Sequence, residues 1–175
     1  MDNNFWQYID HLQLIAFFSG YPLIYAIVMV VFENKSRKWK IFPSGIHTLL
    51  PYAYALSGTL YLGLILKGLY PDYSINSIRI FFDHSLLKIW AVFSLIFWIP
   101  LFAKKPVISL LHSLPFFIFF IKDVFILNPT SGEHDMIRNE IKIYSDSLIL
   151  NLITLVVVLI LFFIIKIVYK KLLSH

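Results

Sequence analysis

Apolar residues fall into five long runs, Leu12–Phe32, Ile46–Leu66, Leu86–Phe102, Val107–Leu127 and Leu148–Tyr169, set apart by short clusters of Lys, Pro, Gly and Asn. A bilayer core about 30 Å thick takes about 20 apolar helical residues to cross. The third run is the shortest. Backbone groups in lipid must bond within their own segment, and none of the runs alternates as barrel strands do, so all are read as helices. The pattern predicts an all-α, polytopic transmembrane helical bundle of about five spans, forming a single domain over residues 1–175.

The punctuation supports helices. Lys35, Arg37, Lys38 and Lys40 follow the first run, and Pro43-Ser44-Gly45 leads into the second, a place where proline is tolerated. Lys104-Lys105-Pro106 joins the third and fourth runs into a hairpin, and Asn128-Pro129-Thr130-Ser131-Gly132 ends the fourth. Pro22 and Pro100 interrupt the first and third. Between the second and third runs, Ile75, Ile78, Ile80, Phe81 and Phe82 make a short amphipathic stretch expected to lie at the interface. Ile137, Ile141 and Tyr144 share a helical face and read as an outward extension of the fifth helix.

Charge sets an orientation. Lys and Arg collect after the first run, in the Lys104-Lys105 turn, and at Lys166, Lys170 and Lys171. Most acids, including Asp2, Asp10, Asp72, Asp83, Glu133, Asp135, Glu140 and Asp146, fall at the other ends. The positive-inside rule then places the N-terminus outside and the C-terminus in the cytoplasm. In a bacterial cell this is a multi-pass protein of the inner (plasma) membrane. No basic residue precedes the first run, so it is expected to be retained as a span rather than removed as a signal peptide.

Composition agrees. Hydrophobic residues make up 59% and charged residues 14%, too few polar groups to clothe a soluble domain, in which about 25% are charged. The net charge of +5 sits beside apolar runs, which argues against nucleic acid as a partner. The absence of cysteine excludes disulfides, thiolate metal sites, cysteinyl Fe–S ligation and cysteine nucleophiles. No phosphate loop, zinc-protease motif or nucleophile elbow is present, so no catalytic residue is assigned. Ser131-Gly132-Glu133-His134-Asp135 reads as a solvated turn capping the next helix. A zinc site from His84, His134 and Asp135 lacks ligand-like spacing, and no metal is assigned.

A few residues within the runs carry chemistry. Ala55, Thr59 and Gly63 recur every four residues, with Ala53 and Ser57 beside them, as a small-residue face for helix packing. Tyr52, Tyr54 and Tyr61 make the second run the most polar, and it reads as the central helix or as the wall of a polar pathway. The fifth run is expected at the periphery or as a docking face. His47 and His112 begin spans at depths that differ by about 3 Å. Two such histidines could ligate haem or hold a quinone headgroup; as structural residues they would satisfy carbonyls. The repetition also suggests a faint duplication of the first two spans in the next two. Lys122-Asp123, with Lys88 on the neighbouring span, reads as an interfacial ion pair, or as a proton or ion step carried by Asp123.

The leading functional expectation is a non-catalytic subunit or scaffold of a membrane complex, with lipid and another membrane protein, or a second copy, as partners. The alternatives are a small haem- or quinone-binding electron-transfer protein, a carrier or channel for a small solute, and a membrane sensor module.

Overall fold

The computed structural model describes residues 3–33, 45–71, 73–82, 86–126 and 134–172. Among them every element is helical. Helix α1 (Asn3–Phe18) and helix α2 (Tyr21–Val28) form one path through the first apolar run, broken at Ser19–Gly20. Pro22 causes the break: it has no N–H to return to the carbonyl four residues back. Ser19 Oγ donates to the Ile15 carbonyl at 2.6 Å, and the ladder resumes with Ile24 N to Gly20 O at 3.2 Å. A π-helical turn, Met29–Glu33, ends this path.

A 3-10 turn (Ile46–Leu49) enters α3 (Leu50–Leu69), with Pro51 in its first turn where a missing N–H does no harm. Then come α4 (Ile75–Phe82), α5 (Leu86–Val92), a 3-10 segment (Phe93–Trp98), α6 (Pro100–Ala103), α7 (Pro106–Ile126) and α8 (His134–Leu172). The third apolar run is thus not one α-helix. Ile99 is extended (φ −77°, ψ 123°), because the ring of Pro100 disfavours helical backbone in the residue before it. The fourth run remains helical through Pro115. The extension expected before the fifth run is continuous with it, making α8 39 residues long.

Three stretches are long and apolar enough to cross a bilayer: His11–Val31, Ile46–Leu69 and Ile141–Leu172. Leu86–Trp98 and Pro106–Lys122 are shorter apolar helices. The chain is an all-helical protein with the build of a membrane protein.

Packing centres on α3, which touches α1, α5, the 3-10 segment, α6, α7 and α8. Ring pairs give the directions. Tyr21 meets Tyr54 and Phe17 meets Tyr61, so α3 runs antiparallel to α1–α2. Tyr21 meets Ser109 and His11 meets Phe119, so α7 is antiparallel to α1–α2 as well. At the centre Phe18 stacks on Phe116 at 4.8 Å and presents edges to Tyr54 and Tyr61. Aromatic pairs at such geometry add about 0.5–1.5 kcal/mol each beyond area burial.

α8 differs from the other long helices. Of its apolar window 22% is buried, against 56% for the first two long stretches. Leu155 and Val158 are its last buried residues, and from Ile160 to Leu172 every residue is exposed.

Several sequence expectations lie outside the described residues: the basic connection after Glu33, Pro43, Ser44, His84, the loop 127–133, and the side chains of Asp123, His134 and Asp135.

Candidate functional site

Two polar arrangements interrupt the apolar interior. The first begins with Tyr54, whose place on the buried face of α3 points its phenol between α2 and α7. Its hydroxyl and His112 Nδ1 share a hydrogen bond of 2.8 Å. The His112 ring stacks flat on Trp90 of α5, with centroids 4.6 Å apart and planes 8° apart. Trp90 Nε1 also donates to the His112 carbonyl at 3.0 Å, so one tryptophan holds both ring and backbone. Phe97 closes the site edge-on to both His112 and Tyr54. Beside Tyr54, the Tyr21 ring packs at 4.5 Å and its hydroxyl pairs with Ser109 Oγ at 2.7 Å. Ser109 in turn donates to the Pro106 carbonyl, a first-turn acceptor of α7.

His112 Nε2 is buried and has no hydrogen-bond partner among the described residues. Nδ1 is thus engaged by Tyr54, while Nε2 is the unsatisfied side of the ring. His47 sits exposed on the 3-10 turn before α3, so the two imidazoles occupy different environments. His112 thus joins α3, α5 and α7, through its bond to Tyr54 and its stack on Trp90.

Removing only the Tyr54 hydroxyl should therefore leave both imidazole nitrogens unpaired. Tyr54→Phe is expected to lower stability in detergent by about 1–3 kcal/mol, the usual cost of stranding a buried polar group. The double variant Tyr54→Phe/His112→Phe should lose less than the two single variants combined, because it strands nothing. Strict additivity in melting experiments would mean the bond contributes nothing.

The second arrangement is a seam where α8 meets the α1–α2 break and α3. Asn151 is 1% exposed. Its Nδ2 donates to the Phe17 carbonyl at 3.1 Å and to the Ser147 carbonyl at 2.8 Å. Its Oδ1 accepts from Ser57 Oγ at 3.3 Å, and Ser57 lies 3.3 Å from Thr154 Oγ1. Gly20 N donates to Ser147 Oγ at 3.0 Å. The hydroxyls and the amide thus occupy backbone groups loosened by the break, within a layer that water does not reach.

The other sequence candidates fall as follows. Ala55 is fully buried. Thr59 is exposed; its Oγ1 donates to the Ala55 carbonyl and accepts from Trp98 Nε1 at 2.8 Å. Gly63 is no packing contact in this fold, since a Cβ there would meet nothing within 4 Å. The close approach on α3 is instead at Gly58, where a Cβ would collide with Ser94 Oγ and lie 3.0 Å from Ser94 Cβ. The physical reason is azimuth: Tyr54, Gly58, Tyr61 and Ile65 form the buried face, and Gly63 points away from it. Lys88 is buried at 6% exposure on α5, and Lys122 is exposed on α7. Their proposed partner, Asp123, has its side chain outside the described part. No group of three metal-binding side chains gathers among the described residues.

Sequence reasoning missed both arrangements. Asn151 and Thr154 were detectable as isolated polar residues three apart in an apolar run. The Tyr54–His112–Trp90 cluster joins residues 58 and 22 positions apart and leaves no local mark. No protein-family model, no curated protein and no solved structure matches the chain.

Proposed function

We propose that the chain is a five-span, non-catalytic membrane subunit that docks through α8 onto the spanning helices of a different membrane protein. The observation that carries this reading is the C-terminal third of α8. Thirteen consecutive residues from Ile160 to Leu172 are all exposed, and ten of them are apolar or aromatic. At about 1.5 Å per residue this is a rod of roughly 20 Å, exposed along its whole length. The first two long stretches bury more than half of their apolar length inside the fold. Lys166, Lys170 and Lys171 on this rod, with exposed Lys104 and Lys105 at the α6–α7 turn, support a cytoplasmic C-terminus. The two shorter apolar helices complete the five crossings as a hairpin. The polar side chains of the interior support a scaffold role, since they hold helices together.

The lack of native cysteine makes the test clean. Cysteine placed at Ile164 and fitted with a photocrosslinker in native membranes is expected to capture one distinct membrane protein. Cysteine at Ile118, exposed on α7, is the control. Adducts to a second copy of the chain, or no adduct together with a monodisperse monomer in mild detergent that carries its own ligand or activity, overturn the proposal.

A further inference from the structure

Eight residues of α4 rise about 12 Å, far too short to cross a bilayer, yet the helix is set firmly at its start and end. Ser74 caps it: Ser74 Oγ accepts from Ser77 N at 3.2 Å, and Ile78 N donates to the Ser74 carbonyl. At its other end Phe82 packs with Leu69 and Leu87 against the bundle core. Ile75, Ile78 and Phe82 share one face by helical spacing. That face is fastened at Phe82 and open at the other end, where Ile75 is 86% exposed. Tyr70 and Tyr73, edge to face at 6.3 Å, precede it in the chain, and Leu86, 85% exposed, follows it. Such a patch is costly in water. The helices before and after it in the chain, α3 and α5 with the 3-10 segment that follows, also expose apolar residues, at Leu66, Ile89 and Phe93.

We propose that α4 is an interfacial anchor, lying in the headgroup–acyl boundary with Ile75 and Ile78 in the acyl layer and Tyr70 and Tyr73 at headgroup level. The occupant is lipid. The exposed apolar residues of α3 and α5, the helices on either side of it in the chain, select it, and so does the chemistry of the rim. Tyrosine is enriched at membrane boundaries because it has an apolar body and a polar tip. Arg79 and Lys67, both exposed, have apolar stems that can lie along the patch while their charged ends reach lipid phosphates. Asn76, exposed on the opposite side of the helix, faces water.

Single cysteines at Ile75, Asn76 and Ile78, labelled with an environment-sensitive fluorophore, test this in phosphatidylcholine vesicles. Nitroxide lipids labelled near the carbonyl or near the methyl end of the chain report depth, and aqueous iodide reports water. Labels at 75 and 78 are expected to be quenched at least about twofold more by the shallow nitroxide than by the deep one. The label at 76 should be quenched at least about twofold more by iodide than the other two. Equal iodide quenching at all three positions would put α4 in water. Strongest quenching by the deep nitroxide would put it in the hydrocarbon centre. Either result overturns the proposal.

Discussion

Replacing Gly20 by alanine is expected to push α8 away from the α1–α2 break and to cost about 1–3 kcal/mol or more, the range for overpacking a filled interior. The backbone itself would accept alanine, since Gly20 has φ −75° and ψ −20°. The obstacle is space. An added Cβ would lie 2.7 Å from Leu148 N and from the Ser147 carbonyl carbon, and 2.8 Å from Ser147 O. These are main-chain atoms of a long helix, so no rotamer change can clear them. A shift that relieved the clash would also lengthen the 3.0 Å bond from Gly20 N to Ser147 Oγ. Gly63→Ala is the matched control, with open space around its Cβ. It should stay within about 0.5 kcal/mol of the parent, as surface substitutions do. Gly58→Ala should fall between: the Ser94 hydroxyl can rotate aside, but the Ser94 Cβ at 3.0 Å cannot. Melting of the three variants in one mild detergent checks the order. Equal transitions for Gly20→Ala and Gly63→Ala would mean that the helices do not approach as closely as the structure places them.

That ranking also shows what sequence could reveal. The long apolar runs were legible because hydrocarbon demands them: the runs beginning at Leu12 and Ile46 correspond to the helical stretches His11–Val31 and Ile46–Leu69. Rotation about the helix axis was not legible. Ala55, Thr59 and Gly63 form one small-residue ladder on α3, and Gly58 stands on another face. Small residues permit close approach on either face, and nothing local says which one meets a neighbour. The flanking Tyr54 and Tyr61, both buried with Gly58, were the available clue, because large rings mark the side that packs.

The break in the third run was half legible. Pro100 announced an interruption, but the 3-10 winding of Phe93–Trp98 depends on tertiary contact. Ser94 bonds back to the Ala91 carbonyl at 2.6 Å while pressed against Gly58 on α3. The histidines show the same limit. Matched depth left a shared ligand for His47 and His112 open beside a structural role, since depth fixes only one of three coordinates. Trp90 and Tyr54, contributed by two other helices, decide where the His112 ring lies.

Asn151→Leu is the second large effect expected, and it tests the seam as a whole. Leucine fills a similar volume but removes two donated bonds and one accepted bond. The Phe17 carbonyl, in the last turn of α1, then has no water to turn to. Interhelical hydrogen bonds in membranes contribute about 0.6 kcal/mol on average and up to about 2 kcal/mol in model peptides, so a loss of roughly 1–3 kcal/mol is expected. Ser57→Ala should cost less alone, and little more once Asn151 is gone, because the two side chains share one bond. The consequence reaches beyond stability. The C-terminal third of α8 is exposed throughout, so its direction is set by the anchored part, around Ser147, Asn151 and Thr154. Loosening that anchor should reduce crosslinking from position 164 while leaving the exposed surface of Ile160–Leu172 chemically unchanged. Unaltered stability and unaltered crosslinking in Asn151→Leu would show that apolar packing at Leu155 and Val158 alone holds α8 in place.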